Sequence, residues 1–160
     1  METITIREMP KACDLDSVAY ILKASGFFNE AEQEVGVSLV RERLEVGESC
    51  EYFFQFAERE DVLLGYTCFG PIPGTQASYD LYWIAVDPVY QRMGLGGMLL
   101  EGTEAEIRKR GGRRVYIETS SSDLYVPTRS FYIHHAYIME ARLKDYYAPA
   151  DDKLIYVKGW

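Results

Sequence analysis

The chain has 160 residues and 18.4 kDa, the size of one domain, and its 48% apolar content is enough to build a core, which excludes a mostly disordered chain. Lysine and arginine number 17 against 25 acidic residues, so the net charge is -8; the phosphate contacts that hold DNA or RNA need clustered cations, and the balance argues against nucleic acid and anionic lipid as partners. No apolar run approaches the length of about 18 residues needed to span a bilayer, and the opening Met-Glu-Thr-Ile-Thr-Ile-Arg lacks the pattern of a signal peptide, so no membrane association and a cytoplasmic location are expected. Cys13, Cys50 and Cys68 are odd in number and widely spaced, which predicts reduced thiols and no metal site.

Taken in chain order, Ile4 and Ile6 alternate with polar residues and predict a strand over 3–7, ended by Pro10. Leu15, Val18, Ala19 and Leu22 follow at helical spacing, with Asp14 as candidate cap and Gly26 past the end. A second helix runs from about Asn29 and stops near Gly47, carrying Val37, Val40 and Leu44 on one stripe. Tyr52, Phe54 and Phe56 alternate, Arg59-Glu60-Asp61 interrupts, and an apolar run resumes over 62–69, the pattern of an antiparallel hairpin. The glycines and prolines over 68–78 predict a loop, and 79–86 is the best central strand, ended by Asp87-Pro88. A helix is predicted from about Gly94 to Arg110, acidic early and basic late as the helix dipole favours, and Gly111-Gly112 terminates it. A strand over 113–118, a short helix over 127–135, and strands over 138–146 and 154–158 complete the chain. The strand–helix–strand unit over 79–118 should be parallel and right-handed, and the earlier hairpin antiparallel, giving a mixed sheet with helices on both faces.

The strongest local signal is Gln91-Arg92-Met93-Gly94-Leu95-Gly96-Gly97, a glycine-rich loop between a strand and a helix start. Amides there lack partners within the helix and face the positive end of its dipole, so they can bind phosphate, although a tight turn with no ligand has the same spacing. A Walker loop is disfavoured because Gly96 is followed by Gly97 and Met98, and a dinucleotide fingerprint because Leu99 stands where its third glycine or alanine belongs.

These residues resemble the GNAT superfamily of acetyl-CoA-dependent N-acetyltransferases, whose loop reads Gln or Arg, two residues, Gly, one residue, then Gly or Ala; Gln91, Gly94 and Gly96 match each place. The strand over 81–86 with Asp87-Pro88 and Tyr90, then Phe131-Tyr132 and Tyr137, resembles the family's flanking elements, so the resemblance is strong over 79–137 and looser elsewhere. It implies a single domain over 1–160 of three-layer α/β/α form, with a central mixed, mostly antiparallel sheet and a splayed parallel strand pair. It further implies coenzyme A or acetyl-CoA as cofactor: Ile84, Ala85 and Val86 would line the pantetheine arm by their backbone, Arg92, Met93, Gly94, Leu95, Gly96 and Gly97 would hold the pyrophosphate beside Gln91, and Tyr125, Thr128, Phe131 and Tyr132 would complete the cofactor contacts. This chain has Tyr125 where the family usually has asparagine and Ala136 where it usually has glycine.

The chemistry implied needs a neutral amine, an oxyanion stabiliser such as a backbone N–H near Val86, and a proton for the departing thiolate. An alkyl amine has a pKa of about 10.4, so a base or a water relay must remove a proton, while a tyrosine of about 10 can return one to a thiolate of about 8.5. Tyr132 is the expected general acid and Glu118, at the end of its strand, the expected base, with a water chain as an equal competitor. His134 and His135, adjacent on a short helix, point different ways and are expected to be exposed or capping. Phe27, Asp80 and Tyr82 are the expected acceptor contacts, with Phe28, Trp83, Tyr146 and Tyr147 as further candidate walls. The activity implied is transfer of acetyl, without metal, by direct attack of a small-molecule primary amine. Peptide or protein acetylation and a non-catalytic acyl-CoA binder are the alternatives, and a homodimer is compatible with either.

Overall fold

The computed structural model describes residues 3–160. It contains seven strands, β1 (Thr5–Arg7), β2 (Phe53–Arg59), β3 (Val62–Pro71), β4 (Ser78–Val86), β5 (Arg114–Ser120), β6 (Ile138–Ala148) and β7 (Asp151–Gly159), and four α-helices, α1 (Asp14–Ser25), α2 (Glu30–Val46), α3 (Leu95–Lys109) and α4 (Val126–His134). The strands form one mixed sheet in the order β1-β2-β3-β4-β5-β7-β6, with β4 and β5 parallel as the sequence predicts. Two compact units divide the described residues: the first holds residues 3–70 and 83–106, the second residues 71–82 and 107–160, so β4 changes unit at Trp83.

In the first unit, Asn29 closes α2 with a reciprocal cap, its side chain accepting from the Glu32 N–H while the Glu32 carboxylate accepts from the Asn29 N–H. Gly26 ends α1 in the left-handed conformation. Asp14, the expected cap of α1, does something else. It is buried, receives two hydrogen bonds from Arg7 at 2.8 and 2.9 Å and one from the Lys11 N–H, and so staples β1 to the start of the helix. Val18, Ile21 and Leu22 of α1 and Val40 of α2 pack with Phe54, Phe56, Tyr66 and Cys68 from one face of the sheet. Leu95 and Leu99 of α3 pack with Ala57 and Leu64 from the other.

The faces exchange at a β-bulge. Register passes from Ala57↔Gly65 to Glu58↔Leu63, which leaves Leu64 as the extra residue and turns it toward α3 although Tyr66, two positions on, faces α1 and α2. The Leu64 carbonyl accepts from the Asp87 N–H at 2.8 Å, so the bulge also fixes the end of β4. At Gly65 an added Cβ would stand 2.8 Å from the Ala85 carbonyl oxygen and 3.2 Å from the Val86 Cα; only glycine lets β3 approach that backbone.

The loop expected over 68–78 is shorter than the sequence suggests. β3 continues to Pro71, because proline is tolerated at a strand end where no further amide is needed, and the Ile72 N–H donates to the Ser78 carbonyl to start the turn. In the second unit β5, β7 and β6 are successive antiparallel neighbours, and Val115, Ile117, Leu154 and Tyr156 are buried together with Tyr132 and Tyr137. No helix among the described residues is long and apolar enough to cross a membrane.

Candidate active site

The parallel register between β4 and β5 covers only Ser78↔Arg114, Tyr79↔Val115 and Asp80↔Tyr116 among the described residues, although both strands continue, β4 to Val86 and β5 to Ser120. Beyond Asp80 the two strands therefore no longer pair. In the first unit, the continuation of β4 places Ala85 in the core and leaves Ile84 and Val86 half-buried, with its end held by the bond from the Asp87 N–H to Leu64. Asp87 then caps a 3-10 turn, Pro88–Tyr90, by accepting from the Val89 N–H, and the Arg59 guanidinium lies 5.5 Å from the centre of the Tyr90 ring.

The glycine-rich loop begins at this turn. Gln91, Arg92, Met93 and Gly94 are exposed, Arg92 and Gly94 take positive φ of 64° and 78°, and a Cβ at Gly94 would meet nothing within 4 Å. Leu95 is buried and anchors the start of α3, while Gly96 and Gly97 are half-exposed. The first intrahelical bond runs from the Met98 N–H to the Gly94 carbonyl at 3.0 Å, so the amides of Leu95, Gly96 and Gly97 precede the helix ladder. Donors at the positive end of the dipole, with no side chain on two of the three, suit a diphosphate.

The second unit holds the titratable residues. Glu118 on β5 pairs with Ile155 in register, and Lys153, two residues from Ile155, shares its face; the Lys153 Nζ lies 2.7 Å from Glu118 Oε2. Asp80, opposite Tyr116 and thus two residues from Glu118, stands on that face too. Its carboxyl is pushed up to about 6, first by partial burial and then by the negative charge of Glu118, with Lys153 pulling the other way. Lys153 also sits 4.3 Å from the centre of the Tyr146 ring, which stacks edge-on against Tyr147. Burial first, and the negative charges of Glu118 and Asp151 among its neighbours, raise the Tyr147 hydroxyl above its ordinary value, while Lys153 opposes this. Asp80, Glu118 and Lys153 thus form one coupled group. Lys153 had no signal in the sequence, since only the β5–β7 register brings it to Glu118.

Tyr132 lies on the opposite side of this sheet, in α4. It is almost fully buried, with its ring centre 6.0 Å from those of Tyr137 and Tyr156. Burial, and then Tyr125, hold its hydroxyl well above the ordinary tyrosine value, so it stays protonated. Tyr125 ends the short 3-10 turn Asp123–Tyr125 before α4, Thr128 is half-buried in the first turn of the helix, and Phe131 packs against His135 with ring centres 4.6 Å apart. His134 is exposed, and its ring meets His135 edge-on at 5.4 Å. Among the proposed acceptor contacts, Tyr82 is exposed in the second unit, while Phe27 stands beside Phe28 in the first, and Phe28 meets the Trp83 ring at 4.9 Å. No three His, Cys, Asp or Glu among the described residues are grouped so as to hold a metal ion.

Ala136, just past α4, has φ of 68°. An L-residue there carries about 1–2 kcal/mol of steric strain that glycine lacks, partly offset by the greater freedom of glycine in the unfolded chain. Ala136→Gly is therefore expected to raise stability by about 0.5–1 kcal/mol, read as a higher midpoint in urea with unchanged slope. A lowered midpoint would show that the left-handed turn is not strained.

The comparisons with known proteins agree with this geometry. The model of the acetyltransferase (GNAT) family matches residues 15–136. A crystal structure of a protein assigned to the GNAT acetyltransferases, from Desulfovibrio desulfuricans, is 41% identical and superposes with a TM-score of 0.96 over 98% of this chain and 99% of that one. The ribosomal-protein-S18-alanine N-acetyltransferase from Escherichia coli shares the fold at 22% identity, TM-score 0.77, covering 99% of this chain and 94% of that one. An aminoglycoside 6'-N-acetyltransferase complexed with coenzyme A does so at 18% identity and TM-score 0.77, covering 98% and 96%. No curated protein sequence matches the chain. The chain belongs to the acetyltransferase (GNAT) family and takes its acetyl group from acetyl-CoA.

Proposed function

We propose that the enzyme acetylates the primary amine of a small molecule by direct attack on the acetyl group. The observation that carries this is the half-buried Asp80 beside the Glu118–Lys153 pair, on a sheet face that also bears the exposed Tyr82. Two carboxylates and tyrosine rings attract an ammonium group, and the single lysine leaves that face net negative. The fold neighbours include an enzyme named for an aminoglycoside and one named for the alanine of a ribosomal protein, so the fold accommodates both acceptor sizes.

Bound acetyl-CoA supplies the activated acetyl thioester. The amides of Leu95, Gly96 and Gly97 hold its diphosphate, Gln91 to Gly94 border that cradle, and the backbone of Ile84 to Val86 takes the pantetheine arm, with Tyr125, Thr128 and Phe131 as further contacts in our assignment. The amine proton passes to the Asp80–Glu118 pair. Within it Asp80 takes the proton, because its proton affinity is raised toward that of the amine, while the Glu118 carboxylate is paired with Lys153. Tyr132 supplies a proton to the departing sulfur. Phe27 and Tyr82 contact the acceptor.

Release of free thiol from acetyl-CoA, followed across polyamines, aminoglycosides, amino acids and peptides bearing free N-termini or lysines, tests the acceptor class. Turnover on small amines with kcat/KM at least about tenfold above the best peptide is expected. Preference for a peptide would overturn the assignment.

A further inference from the structure

We propose that the second unit carries a separate binding site for a nucleoside monophosphate, at the end of the sheet where β5 begins and β7 finishes. A cavity of about 500 Å³ opens there, lined by Arg113, Arg114, Glu140, Lys158 and Trp160 together with apolar and backbone atoms of β6 and β7. Three cations and one carboxylate give the wall a charge of +2, in a chain whose net charge is -8. The carboxylate is already spent, since Glu140 Oε1 accepts from the Arg114 Nη2 at 2.7 Å.

Arg108 and Lys109 close α3 and answer its dipole, which is the ordinary reason for cations at a helix end. Arg113 and Arg114 lie beyond the helix and have no such reason, while the Lys158 Nζ stands 5.6 Å from the centre of the Tyr137 ring. Each arginine is also held in place. The Arg113 N–H donates to the Ala77 carbonyl at 2.8 Å and its Nε to the Gln76 carbonyl at 3.0 Å, while the Arg114 guanidinium lies 5.9 Å from the centre of the Tyr116 ring. The Arg114 Nε is buried and has no hydrogen-bond partner among the described residues, so a small shift of this lining side chain would offer an unmet donor to a ligand.

Trp160 supplies the planar element. Its main-chain N–H donates to the Arg113 carbonyl at 3.1 Å, which ties the chain after β7 to the start of β5, and the Arg108 guanidinium stands 5.4 Å from the centre of the indole ring. The side chain nevertheless remains 45% exposed. An aromatic surface lining the same cavity as two guanidinium groups matches a ligand that stacks a flat base and presents a phosphate. The volume admits a mononucleotide, and Glu118 lies four residues further along β5, about 13 Å from Arg114 at strand rise, so this ligand would lie clear of the Asp80–Glu118–Lys153 group.

Fluorescence titration in a Trp83→Phe background, where Trp160 is the remaining tryptophan, tests the proposal. The probe is adenosine monophosphate, added with acetyl-CoA at saturation so that the coenzyme site is filled. Saturable quenching with a Kd below about 1 mM, at least about tenfold weaker binding of adenosine, and at least about tenfold weaker binding of the nucleotide by an Arg113→Gln/Arg114→Gln variant are expected. Calorimetry on the wild-type enzyme under the same conditions should give the same Kd, and it replaces the fluorescence should Trp83→Phe fail to fold. Absence of saturable binding by calorimetry, equal affinity for adenosine, or unchanged affinity in the double variant would each overturn the site. None of these outcomes depends on which amine is acetylated.

Discussion

Asp80→Asn should lower kcat/KM for the amine about 100-fold near neutral pH while leaving the Kd for acetyl-CoA within about twofold, because the amide keeps the shape and loses the proton acceptor. The wild-type pH profile carries the sharper test. The Asp80 carboxyl titrates at about 6, so kcat/KM should rise through an acidic limb near that pH: below it Asp80 already holds a proton and cannot take another. Glu118 raises that value by repulsion and Lys153 lowers it by attraction. Glu118→Gln should therefore move the limb to lower pH, and Lys153→Met should move it to higher pH. A merely structural Asp80 would move neither limb. Wild-type kcat/KM in Asp80→Asn, or a limb that ignores both neighbours, would exclude Asp80 and leave Glu118 or a water relay as the base.

The local pattern carried most of the fold. The alternation of Phe54 and Phe56, the polar turn at Arg59-Glu60-Asp61 and the apolar stripe of Val37, Val40 and Leu44 specify a hairpin and a helix from a few residues each, because period and turn chemistry act over one or two turns of chain. Features set by long-range register were not legible. The extra residue at Leu64 looks like any other apolar position in a strand until its pairing with β2 is known. Asp14 has the residue type and place of a cap, yet Arg7, seven residues earlier, takes its carboxylate into a buried ion pair.

The candidate site divides in the same way. The glycine-rich loop was legible because its function would rest on backbone geometry that glycine positions encode directly. The coupling of the titratable group was not, since Asp80, Glu118 and Lys153 come from three strands and meet only through how β5 pairs with β7. Ala136 shows the converse. The substitution of glycine was visible in the sequence, and the backbone kept the left-handed turn that glycine would favour.

Tyr132→Phe is expected to reduce kcat about 100-fold with the Kd for coenzyme A within about twofold. The phenylalanine ring keeps the packing on Tyr137 and Tyr156, each 6.0 Å away between ring centres, so the thermal midpoint should change little and lost activity would report the hydroxyl alone. Burial and Tyr125 keep that hydroxyl neutral throughout the working range and also make it a weak acid. Its proton is drawn toward sulfur only as the carbon–sulfur bond breaks and negative charge collects there. The deficit in Tyr132→Phe should consequently shrink with an acetyl thioester whose thiol is more acidic than that of coenzyme A, because such a thiolate departs without needing the proton. A hydroxyl that only positions the thioester would cost the same factor with either donor, and that result would remove Tyr132 from the proton path.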